Sequence, residues 1–150
     1  MPAKVRQAVY GDIDSIIDQG ILCASLSPRY HKSGVGVEKM RSELPNLIDG
    51  GGIFVAEAEG EIVGFMAGAL VQEFFGNDLT AVEICLFVHP DHRGGTIARD
   101  LVKSFESWAW ESGAERVQVG VSSEIRSELV VGLYRRMGFR ETGAILLKEK

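Results

Sequence analysis

The chain has 150 residues, 45% hydrophobic and 25% charged, with a formal net charge of −5. That length gives a single domain, 1–150, with a core of its own, and the composition is that of a soluble globular protein. The acidic balance argues against a nucleic-acid binder and weakly suits a cationic partner. Residues 1–6 have no apolar signal core, and no run reaches the ~18 apolar residues of a membrane span, so a cytoplasmic location and no membrane partner are expected. The cysteines, Cys23 and Cys85, are not spaced as metal ligands and read as small reduced core residues, so no metal is expected.

Residues 5–10 alternate weakly and read as an edge strand. Asp12 is placed to N-cap a helix carrying Ile13, Ile16, Ile17 and Ile21 at helical spacing. Residues 25–37, with Pro28, Ser33, Gly34 and Gly36, read as a loop or broken helix. Val37, Met40, Leu44, Leu47 and Ile48 give a second helical stripe that Pro45 is expected to kink. Residues 53–58 and 62–72 read as a hairpin about a turn at 59–61. A third strand follows at 79–88. Residues 93–113 read as a long amphipathic helix with Ile97, Leu101, Val102, Phe105, Trp108 and Ala109 on one face and Gly113 as C-cap. Residues 117–121 alternate as a strand, 125–137 form a helix ended by Gly138, and 139–147 hold one or two last strands. The strand–helix–strand unit from 79 to 121 implies a parallel pair with a right-handed crossover. The fold class is therefore α/β (α+β). Its central sheet is mixed and mostly antiparallel, of about six or seven strands, flanked by about four helices.

The segment Val88-His89-Pro90-Asp91-His92-Arg93-Gly94-Gly95-Thr96-Ile97-Ala98 carries the most chemistry. A strand that ends in a glycine turn and feeds a helix presents free backbone N–H groups and a favourable dipole to an anion. Residues 93–98 are expected to hold a phosphate-bearing ligand. Arg93 would add charge-assisted hydrogen bonds, and Gly94 and Gly95 a close backbone approach. Each also reads as an ordinary surface or turn residue. No Gly-Lys-Ser/Thr of a P-loop is present, and no spaced glycines of a dinucleotide fold, so nucleotide binding ranks low.

Downstream stands Leu133-Tyr134-Arg135-Arg136-Met137-Gly138-Phe139. Its element order and these two segments together resemble the GNAT N-acetyltransferase superfamily, over nearly the whole chain. The run Val88-x-Pro90-x-His92-Arg93-Gly94-Gly95 with Trp108-Ala109 is similar to the phage- and prophage-encoded branch. In the family signature, Arg or Gln is followed by two residues, Gly, one residue, then Gly or Ala. Arg93 and Ala98 match, and Thr96 replaces the central glycine. The Leu-Tyr-x-x-x-Gly-Phe hallmark is intact, while Ser127 stands where the family usually has Asn. The resemblance implies the acyl-CoA N-acyltransferase fold with a splayed parallel pair, and acetyl-CoA as cosubstrate. It also implies that residues 93–98 hold the pyrophosphate mainly by backbone N–H groups. Leu86, Phe87 and Val88 would lie along the pantetheine arm, and Ser127 would belong to the cofactor site.

The resemblance assigns Tyr134 as general acid to the departing thiolate. A helix tyrosine more often packs its ring on the core. Glu83, charged among apolar strand neighbours, must be exposed, paired or functional, and the resemblance makes a carboxylate there the base for the amine. Asp91 and His92 are weaker candidates; His92 is expected to position the turn and His89 to be exposed. Cys85 has no evident activating base, so direct attack in a ternary complex is expected rather than a covalent enzyme intermediate. Residues 25–36, with Arg29, Tyr30, His31 and Lys32, fall where the family has its variable acceptor loop. The resemblance implies a small-molecule or protein amine as acceptor. Two other readings stay open: a non-catalytic acyl-CoA-binding or regulatory module, and a structural homodimer formed through the sheet edge or C-terminal strand.

Overall fold

The structure, a computed structural model, describes residues 2–150. Its strands are β1 (Lys4–Gln7), β2 (Ile53–Ala58), β3 (Glu61–Gln72), β4 (Leu79–Val88) and β5 (Ala114–Gln118). They form one five-stranded sheet in chain order. The first four pair antiparallel, and β5 runs parallel to β4. The helices are α1 (Ile13–Leu26), α2 (Val37–Gly50), α3 (Ile97–Glu111) and α4 (Ser127–Arg136).

Strands β2 and β3 are buried along most of their length, because helices cover both faces of the sheet. One core packs Phe54, Met66, Leu101, Val102 and Phe105 beneath α3. The other packs Ile16, Ile17, Leu44, Val55 and Phe65 beneath α1 and α2. Glu59 and Gly60 both have positive φ, 52° and 81°, the requirement of a tight two-residue hairpin turn that matches strand twist. The Phe105 ring lies against Gly68, where a Cβ would overlap it and approach the Val82 carbonyl. Gly68→Ala should therefore cost about 2–3 kcal/mol by overpacking. Thermal unfolding should fall by roughly 5–10 °C; an unchanged melting temperature would show that Phe105 can move aside.

Several expectations shift. Asp12 stands at the start of α1 but does not cap it. Its carboxylate takes two hydrogen bonds from Arg6, at 2.8 and 2.9 Å, and one from the Val9 N–H. A guanidinium with two donors is a stronger partner than a helix N–H, and it pulls the Asp12 pKa down. Pro45 does lie within α2, as its place in the helical stripe implied. The helix expected from 93 begins at Ile97, since Gly94 takes a positive φ of 89° that no helix accommodates. The strand expected at 117–121 is Ala114–Gln118, and the helix expected at 125–137 is Ser127–Arg136. The one or two strands expected in 139–147 do not form, so the sheet has five strands rather than six or seven. The apolar residues there satisfy strand propensity, but a strand exists only through its ladder partner, and Ile145 and Leu146 are 91% and 89% exposed.

Candidate active site

Strand β4 carries the site because its ladder is broken twice. Its register against β3 passes from Ala67↔Cys85 to Gly68↔Glu83, leaving Ile84 with no opposite residue. Such a bulge re-aims side chains. Residues directly opposite share a face, so Cys85 turns with Ala67 toward α1, and Glu83 turns with Gly68 toward α3. In an unbroken strand the two would face the same way. On its other edge, β4 pairs with β5 only over Leu79–Val82. Beyond that the strands part, and the Gly120 N–H reaches back to donate to Glu83 Oε1 at 3.1 Å.

The gap opens a cavity of about 310 Å³. The second half of β4 forms one wall, the 120–126 segment and α4 the other, and the turn into α3 one end. Leu86, Phe87, Val88, Arg93, Gly94, Gly95, Ile97 and Ala98 all line it, as does Glu83. The first N–H groups of α3 are the expected anion donors. Arg93 is partly committed elsewhere: its Nε donates to the Val88 carbonyl at 2.9 Å and its guanidinium lies over the Phe87 ring. These contacts tie the turn to β4. Thr96 and Ser127 are not on the cavity wall. Thr96 precedes α3 and donates from Oγ1 to Asp100 at 3.0 Å, while Ser127 is the first residue of α4. The turn itself is positioned by His89, whose Nδ1 accepts from the Asp91 N–H at 3.1 Å. His92 is exposed and lines the cleft instead.

Sequence reasoning missed the other arginines. Arg99, Arg126 and Arg136 share the cavity wall with Arg93. Among the described residues, Arg99 alone of these has an ion pair, with Asp100 at 3.6 Å. Burial, and then the Arg126 charge, lower the Arg93 pKa. Arginines gathered on one wall, three of the four without an ion pair among the described residues, give that end of the cleft a positive potential. Arg126 also holds a positive φ of 49°, backbone strain of a kind concentrated at functional sites. Ser27 was missed as well: it is 1% exposed, and its hydroxyl donates to the Ser123 carbonyl at 2.6 Å, fastening the 27–34 turn to the cleft.

The second sequence hallmark is a helix C-cap. Gly138 has φ 95°, its N–H donates to the Arg135 carbonyl at 3.0 Å, and the Phe139 N–H to the Tyr134 carbonyl at 3.0 Å. This is a Schellman arrangement, with its hydrophobic contact supplied by the Phe139 and Tyr134 rings, centroids 5.6 Å apart. Gly138 and Phe139 thus fix Tyr134. That ring packs in the core under α3 and is not part of the cavity wall. Its hydroxyl is buried with no hydrogen-bond partner, yet lies near enough to Glu83 for the charges to interact. Burial and then the Glu83 charge push the phenol pKa up. Burial likewise raises Glu83, to about 7, against the lowering effect of the Gly120 N–H and Tyr134. Contact with Cys23, then burial, hold the Cys85 thiol well above its ordinary range. Among the described residues, no cluster of three or more His, Cys, Asp or Glu could hold a metal, and no helix is long and apolar enough to cross a membrane.

A sheet split thus lies beside a helix N-terminus, lined by arginines, with a perturbed carboxylate on its wall and a fixed tyrosine behind it. The Acetyltransferase (GNAT) family profile matches residues 22–139, and the chain belongs to that family. Solved structures agree on the fold. An aminoglycoside acetyltransferase, HMB0005, from an uncultured soil metagenomic sample is 20% identical with TM-score 0.75, over 100% of this chain and 99% of that one. AAC(6')-Iy, in complex with a bisubstrate analogue, CoA-S-monomethyl-acetylneamine, is 17% identical with TM-score 0.77, over 100% and 99%. A protein of Bacillus halodurans C-125 described as a transcriptional regulator is 17% identical with TM-score 0.78, over 99% of each chain.

Proposed function

We propose that the chain transfers an acetyl group from acetyl-CoA to a primary amine, by direct attack in a ternary complex. The observation that carries this reading is the meeting of the β4–β5 split, the α3 N-terminus and Glu83 at one cleft, with Tyr134 buried behind Glu83. The residues present fit the cosubstrate. The unpaired edge of β4 suits amide groups of a pantetheine arm, the α3 N–H groups and arginines suit phosphates, and the Tyr134 hydroxyl is a buried donor without a partner. Acetyl-CoA, when bound, supplies the activated acyl group and a thiol leaving group.

Glu83 takes a proton from the incoming ammonium, leaving the neutral amine that attacks. A pKa of about 7 matches that task. Tyr134 stays protonated at working pH and gives its proton to the departing sulfur; the second proton shed by the nitrogen restores the phenol. Cys85, kept protonated, is no nucleophile. Backbone donors at the split hold and polarise the thioester carbonyl.

Titration calorimetry should show acetyl-CoA binding that CoA competes away, and a coupled assay should show CoA release with an amine. No binding at millimolar acetyl-CoA overturns the reading. Thr96→Gly should leave CoA affinity within about twofold, because the side chain faces Asp100 and only the backbone N–H serves the ligand; a tenfold tightening would show that the methyl crowds the site. Burial of the Tyr134 hydroxyl favours a second reading, an acyl-CoA-binding module without turnover. Binding with no CoA release across an amine panel selects it.

A further inference from the structure

A second cavity, of about 280 Å³, lies between α1, α2 and β4. Its walls are almost wholly apolar: Ile16, Met40, Leu44, Leu47 and Phe65 belong to the core beneath α1 and α2. Cys85, Ser122 and Ser123 line both this cavity and the cleft at the β4–β5 split, so the two spaces meet there. Glu83 stands two residues before Cys85 on the cleft side. Among the described residues, Glu43 is the one charged residue on the wall of the second cavity. Its side chain is 60% exposed and lies 3.9 Å from Lys39, which places it at a solvated rim.

We infer that this cavity receives the acceptor, and that the acceptor is a small primary amine with an apolar alkyl or aryl body and one ammonium group. The inference rests on the acetyl-transfer reading above. Apolar walls reward removal of a hydrocarbon body from water. They penalise every additional ammonium or hydroxyl group that finds no partner. A multi-ring aminoglycoside or a polyamine would carry several such groups into a space that offers the two serines and the Tyr30 ring besides Glu43. The volume is also at the small end of ligand cavities, roughly 300–1,000 Å³. With its body among Met40, Leu44 and Phe65, the amine nitrogen emerges at Cys85, where the cavities join and Glu83 is within the same cleft. The tight link from Ser27 to Ser123 fixes the turn that closes this junction.

The test is CoA release by the unmodified protein with phenylethylamine and hexylamine, against spermidine, an aminoglycoside and a lysine peptide. The apolar monoamines should exceed the others in kcat/KM by at least about tenfold, the discrimination that a few apolar groups provide. Ala24 lines the cavity from α1; Ala24→Leu should raise the KM for phenylethylamine several-fold and leave that for acetyl-CoA unchanged. Should that variant misfold, the panel with the unmodified chain still decides. Preference for spermidine, the aminoglycoside or the peptide overturns the inference and leaves acetyl transfer standing. Acetyl-CoA binding without CoA release from any amine removes the transfer reading, and this inference with it.

Discussion

Tyr134→Phe should lower kcat about a hundredfold and leave the acetyl-CoA dissociation constant within about twofold, the pattern of a group used only in the transition state. The structure separates this loss from damage to the fold. The Tyr134 hydroxyl is buried and unpartnered, so removing it relieves a desolvated polar atom and leaves the ring in place. Stability should hold or rise by about 1 kcal/mol. Lost turnover with an unchanged or higher melting temperature therefore identifies proton donation. Lost turnover with a lowered melting temperature identifies a packing role, and unchanged turnover removes Tyr134 from the mechanism. Gly138 and Phe139 enter the same argument from the other side. They hold the C-cap that fixes Tyr134, and their substitution should disturb stability and turnover together.

The parts of the site that were legible in the sequence are those where local chemistry dictates conformation. Gly94 and Gly138 adopt the positive φ values their positions require, so a turn before α3 and a stop after α4 could be read directly. The hairpin at Glu59–Gly60 and the helical stripes of α1 and α3 were readable for the same reason. What stayed hidden depends on pairing between distant segments. Nothing in Thr80–Cys85 announces that Ile84 is skipped by the ladder, yet that bulge decides which face Glu83 occupies. The arginines of the cleft were illegible because Arg126 and Arg136 come from the far side of the split, brought there by the crossover through α3 and β5. Residues 139–147 failed in the opposite direction: apolar residues were present, and the ladder partner was not.

Glu83→Gln should lower kcat about a hundredfold and erase its pH dependence near neutrality. The sign follows from the role. As base, Glu83 works only as the carboxylate, and burial raises its pKa to about 7. At saturating amine, kcat for the natural sequence should rise about tenfold per pH unit below that value and level off above it. Glutamine keeps the shape and an oxygen for the Gly120 N–H that now donates to Glu83 at 3.1 Å, so the bulge and the split should persist. Glutamine cannot accept the amine proton, so the acid limb near 7 should vanish, and what remains should follow the amine's own ionisation. A substitution that kept the inflection would assign it to another group and return Glu83 to a purely structural part, bridging β4 to the Gly120 backbone across the gap. The neighbouring arginines do not alter this expectation: Arg93 and Arg126 lie on the cleft wall but do not contribute to the Glu83 shift, which burial dominates. Added salt should therefore weaken acetyl-CoA binding, through screening of the arginines, while leaving the midpoint of the kcat profile where it was.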